Sequence, residues 1–214
     1  MPYLGNEVAP LVQALEGKEL KLDSDGDSSI QASTDDTVVF KTNGSNRWTL
    51  NSSGNLFPAS TSQGIVLGAT SDTASNTISD YEEGSFSPTF SQSGATVSMS
   101  SSVGFYTKIG RVVHASGRLQ SGSVSGGSAV ISIAGLPFTS NTSSAAHSAT
   151  IGVTFSGWSS TNGPSVGFIQ GGADKIELYK FDSSDARDQR DTPVTSFGDG
   201  SVGAIFNVVY TSAS

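Results

Sequence analysis

Asp23-Ser24-Asp25-Gly26-Asp27 places three carboxylates at alternate positions, as the opening of a calcium loop does. The remainder of such a loop does not follow. Gly26 falls at the fourth position instead of the sixth, Thr34 occupies the twelfth where a bidentate Glu is needed, and no flanking helices are evident. A polar turn at a strand end is the expected reading, and Asp23, Asp25 and Asp27 are the residues a bound cation would use. Glu82 and Glu83 form a second acidic pair, and paired carboxylates suggest glycoside chemistry. Neighbours on an extended chain point to opposite faces, so these two cannot address one glycosidic bond. A structural role is expected instead, with Tyr81 and Phe86 packing and Pro88 limiting an edge strand.

The densest charge cluster is Asp182, Asp185, Arg187, Asp188, Arg190 and Asp191, directly after a strand that includes Tyr179 and Phe181. Guanidinium forks and carboxylate acceptors on a loop suit sugar hydroxyls, and a neighbouring aromatic face suits a pyranose ring. The bland alternative is a solvated loop whose ion pairs contribute little. Trp158, within Ser156-Gly157-Trp158-Ser159-Ser160-Thr161-Asn162-Gly163, is a large aromatic in a polar stretch with no evident core duty. It reads either as a binding surface or as an anchor between chains. The candidate recognition residues are therefore Trp158, Tyr179, Asp182, Asp185, Arg187 and Arg190.

His114 and His147 are the two histidines, and His147 has no second ligand nearby in sequence. No G-x-S-x-G elbow or other nucleophile signature accompanies the abundant serines, so neither an enzyme nor a cofactor is expected. The chain lacks cysteine, which excludes disulfides and thiolate metal sites. A formal charge of −8 with no basic stretch excludes the phosphate-neutralising footprint of a nucleic-acid binder. No apolar run reaches the ~20 residues that cross a bilayer, and residues 1–10 lack the pattern of a secretory signal. Any negatively charged cell surface must be recognised by local contacts, because the long-range field opposes approach.

These groups must be carried mainly by strands. Only residues 1–20 have helical spacing, with Pro10 suited to a first helical position and Leu11 and Leu15 four apart. Residues 21–79 read as short strands punctuated by Asn43-Gly44 and Ser53-Gly54, turns whose positive φ closes hairpins. Residues 68–79 are the expected linker. Residues 80–214 alternate strongly. Val113, Ala115 and Leu119 oppose Val112, His114 and Arg118, and Ala204, Phe206, Val208 and Tyr210 oppose Ile205, Asn207 and Val209. Period-two patterning without intervening helices predicts an antiparallel β-sandwich of about eight strands. Trp48, alternating within its strand, is expected to pack between chains, since one short strand-turn-strand unit cannot bury its apolar face alone.

Three motifs follow in order: Asp80-Tyr81-Glu82-Glu83-Gly84-Ser85-Phe86-Ser87-Pro88, Tyr106-Thr107-Lys108-Ile109-Gly110, and Gly135-Leu136-Pro137-Phe138. Together they resemble the C-terminal modules of bacteriophage tail fibres, with Phe86 where Trp is frequent and Ala134 where Ser is frequent. More loosely, Leu22-Asp23-Ser24-Asp25-Gly26-Asp27 resembles a fibre-shaft connector. The resemblance implies an all-β homotrimer in three parts: a short N-terminal virion-attachment segment (1–20), an intertwined β shaft (21–79) and a β-sandwich head (80–214). It further implies a non-enzymatic virion protein, made in the bacterial cytoplasm. Its N-terminus would bind a tail or baseplate protein, and its head a host cell-surface glycan or envelope protein. The alternatives are a tailspike-like polysaccharide depolymerase and a purely structural virion or capsid-decoration fibre.

Overall fold

The computed structural model describes residues 17–32, 34–71, 73–142, 152–158, 163–180, 192–197 and 201–213. The expected helix near Leu11 and Leu15 lies outside them. The described residues are all-β, with antiparallel pairing throughout and one short 3-10 turn at Ala74–Asn76. The chain divides into two compact units, Met1–Ser79 and Asp80–Ser214.

The first unit holds a five-stranded meander: Leu20–Lys21 (β1), Ser29–Gln31 (β2), Val38–Thr42 (β3), Ser45–Leu50 (β4) and Leu56–Pro58 (β5). Asn43 and Gly44 take φ of 50° and 66° between β3 and β4. Two positive-φ residues make the turn whose twist matches that of the flanking strands. Ile65–Val66 (β6) pairs with Thr77–Ile78 (β7) as a separate ribbon. The segment expected as a linker thus contributes a strand, because Thr77 and Ile78 find backbone partners eleven or more positions upstream.

Among the described residues of this unit, only Ser29 is fully buried. Leu20, Leu22, Phe40, Leu50, Leu56, Phe57, Ile65, Leu67 and Ile78 are all exposed. Among the described residues, no second layer covers the apolar side chains of this sheet.

The second unit is built differently. One sheet runs Gly152–Ser156 (β13), Gly203–Thr211 (β17), Val112–Gly126 (β11), Ala95–Ile109 (β10) and Tyr81–Phe86 (β8) in spatial order. The other runs Val166–Phe168 (β14), Lys175–Lys180 (β15), Ser132–Ala134 (β12) and Thr89–Ser91 (β9), with Thr192–Pro193 (β16) also on β15. These ten strands replace the expected eight, as short pieces such as β9 and β16 carry too few residues to show a period.

The two sheets share one core. Val113, Ala115, Leu119, Ala204, Phe206, Val208 and Tyr210 come from the first, and Phe90, Ile133, Ile176 and Leu178 from the second. The arrangement is sandwich-like, with inward residues alternating along each strand. The other face of the first sheet carries seven exposed apolar side chains: Tyr81, Val103, Phe105, Ile109, Val112, Ile205 and Val209.

Candidate functional site

The three sequence motifs meet in space. Tyr106-Thr107-Lys108-Ile109-Gly110 ends β10, and Gly110, at φ 56°, opens a two-residue turn into β11. Glycine suits the first central position of such a turn. β8 lies alongside, so Glu82 faces Lys108 and Gly84 faces Tyr106 in register. Lys108 is 4% exposed and forms an ion pair with Asp80. Its ammonium also lies 5.3 Å from the centroid of the Phe138 ring, a cation–π geometry.

Tyr106 packs edge-on against Phe138 at 5.2 Å and donates its hydroxyl to Glu82. That hydrogen bond to a carboxylate holds the Tyr106 phenol above its usual titration range. Tyr210 completes the node. Its hydroxyl donates to the Phe138 carbonyl at 2.9 Å and accepts from the Phe138 N–H at 3.2 Å. Burial pushes the Tyr210 phenol up to about 12.

Glycines keep this node close-packed. A Cβ on Gly84 would fall 2.8 Å from the Tyr106 hydroxyl, and one on Gly104 only 2.5 Å from the Phe86 ring. Glu82 turns to Tyr106, whereas Glu83 accepts from the Tyr81 hydroxyl at 2.9 Å on the other face. The two carboxylates therefore diverge as strand geometry requires. Phe86 packs against the core, but Tyr81 is 60% exposed, contrary to the packing expected for it, because it shares the outer face with Glu83.

Of the candidate recognition residues, Trp158 and Tyr179 are described. Asp182, Asp185, Arg187 and Arg190 lie outside the described residues, as does His147. Trp158 is partly buried against the core. It stacks on Phe197 at 5.6 Å, meets Phe90 and Phe155 edge-on, and donates its indole N–H to the Gly203 carbonyl at 3.2 Å. Tyr179, on β15 just before the charged segment, donates to Glu177 at 3.0 Å. Burial pushes the Glu177 carboxyl up, yet Lys175 at 3.0 Å, Tyr179 and Gln170 outweigh it and hold the group below its usual value.

In the first unit, one carboxylate oxygen from each of Asp23, Asp25 and Asp27 lies within 4.8 Å of the others. Asp23 already anchors its own turn, accepting from the Gly26 N–H at 3.0 Å and from the Ser28 N–H on both oxygens. Its bonds with Ser28 pull it down to about 2. Asp27 is pushed up by partial desolvation and by the neighbouring charge of Asp25. The polar turn expected from sequence is present.

Sequence reasoning passed over Trp48 as a site residue. Its ring borders a groove of about 730 Å³ that also includes Arg47, Thr42 and Gln63, and a separate apolar cleft of about 400 Å³ formed with Phe40, Leu56 and Ile65. The signal available was the Arg47-Trp48 step beside the Asn43-Gly44 turn. No family model, curated protein or solved structure matches the chain.

Proposed function

We propose that this chain is a phage tail-fibre protein, a structural virion component that adheres to the host cell surface and performs no catalysis. In this reading three copies associate. Residues 1–20 join a tail or baseplate protein, residues 21–79 form an intertwined shaft, and residues 80–214 form a sandwich head that contacts a host glycan or envelope protein.

The observation that supports it is the contrast between the two units. Residues 80–214 enclose their own apolar core, while the described part of residues 1–79 leaves nine large apolar side chains exposed and buries none. Burial contributes roughly 25 cal/mol per Å² of apolar surface, so a coreless sheet of this kind gains its stability by wrapping on further copies. The apolar cleft beside Trp48 is a place for a neighbouring chain's side chains. Three heads per fibre would turn individually weak sugar contacts into lasting adhesion.

The test is retention of the fluorescently labelled full chain on a panel of bacterial strains. Retention on at least one strain is expected. It should fall at least tenfold when Asp182, Asp185, Arg187 and Arg190 are all replaced by Ser. Absence of retention on every strain would favour a purely structural fibre. Release of reducing ends from surface polysaccharide would favour a depolymerase.

A further inference from the structure

We infer that the outer face of the β13-β17-β11-β10-β8 sheet is itself a self-association surface, on which the head packs against two further copies of this chain. The inference rests on the trimeric reading above and deepens it, by placing a contact in residues 80–214 as well as in the shaft.

Among the described residues of this unit, every exposed large apolar side chain belongs to that one face. Tyr81, Ile109 and Val112 form one cross-strand row, and Val103 and Ile205 flank Arg118 in another. Phe105, 61% exposed, and Val209 extend the patch between these rows. Half-exposed side chains of this size together present on the order of 600 Å² of apolar surface, the top of the range found on monomers. With the polar groups between them the face approaches the roughly 800 Å² that each partner contributes to a standard interface.

Charge favours a copy of the chain as the occupant. The chain carries −8, which opposes association with another copy wherever its charge is not locally balanced. On this face the charged side chains are Glu83 on β8 and Arg118 on β11, which balance. By strand geometry they stand about 16 Å apart, too far to pair within one chain. Neither forms an ion pair among the described residues. Between the apolar rows, His114 Nε2 and Asn207 Oδ1 pair at 2.8 Å.

The cysteine-free chain makes the test direct. Phe105→Cys and Val209→Cys place single thiols on the face, and Ser93→Cys places a control thiol in an exposed turn away from it. Each full-length variant is weighed by light scattering and its thiol is timed with a maleimide. A mass of three chains with both face thiols reacting at least tenfold more slowly than the control is the expected result. Three chains with face thiols as fast as the control would overturn this inference and leave the shaft-based trimer standing. A mass of one chain would overturn both.

Discussion

The ammonium of Lys108 lies 5.3 Å from the centroid of the Phe138 ring, joining two motifs that are thirty residues apart in sequence. Asp80, from the first of the three motifs, is the counter-ion. Three patterns that read as separate along the chain are one packed node in the structure, which explains why they occur together without invoking chemistry at Glu82 or Glu83.

The pairing is unequal. Lys108 is 4% exposed, whereas the Asp80 side chain is 46% exposed. Asp80→Ala should leave a buried charge with only a ring face for company and cost about 1–2 kcal/mol, after allowance for solvent around Asp80. Lys108→Met, which removes the charge and keeps an apolar stem, should cost less. Urea unfolding of both variants checks the order, and a larger loss for Lys108→Met would contradict it.

Gly104→Ala should destabilise the second unit by about 1–3 kcal/mol, because the added Cβ falls 2.5 Å from the Phe86 ring. That ring is held in turn by Phe206 at 6.3 Å and Tyr106 at 6.5 Å, so it has little room to withdraw. An unchanged denaturation midpoint would show that the ring moves freely.

Tyr210 should ionise with a midpoint near 12, well above the ordinary tyrosine value of 10. Since its folded value lies above the ordinary value of 10, its stabilising effect is complete below pH 10 and disappears as pH rises toward 12. Ultraviolet titration reads this directly. Tyr210→Phe, which strips the Phe138 N–H and carbonyl of their shared partner, should remove that late step and cost about 1–3 kcal/mol. A wild-type titration complete by pH 11 would contradict the assignment.

Asp23 should titrate near pH 2, well below its ordinary 3.8. The group is depressed, so its contribution to the turn is present above about pH 4 and is lost as pH falls toward 2. Carboxyl-carbon NMR shifts follow it. A midpoint near 4 would mean that the Gly26 and Ser28 amides do not hold the carboxylate.

Much of the second unit was legible because its patterning is local. Ala204, Phe206, Val208 and Tyr210 alternate with Ile205, Asn207 and Val209, and the structure buries the first set and exposes the second. The turn at Asn43-Gly44 was equally plain, since two positive-φ positions require those residue types. Other features depend on partners distant in sequence. Trp158 stands in a polar stretch, yet its ring partners Phe90 and Phe197 come from positions far along the chain in both directions. Burial of Lys108 becomes intelligible only once Asp80 and Phe138 are placed beside it. Strand β7 was hidden inside an apparent linker because its two residues show no period and gain their structure only from β6.

In the proposed fibre, the exposed apolar side chains are covered by copies of the same chain. Light scattering on the purified full chain measures this most directly. The expected mass is about 66 kDa, three times the 21.9 kDa of one chain. A mass near that of a single chain would contradict the fibre reading at its foundation.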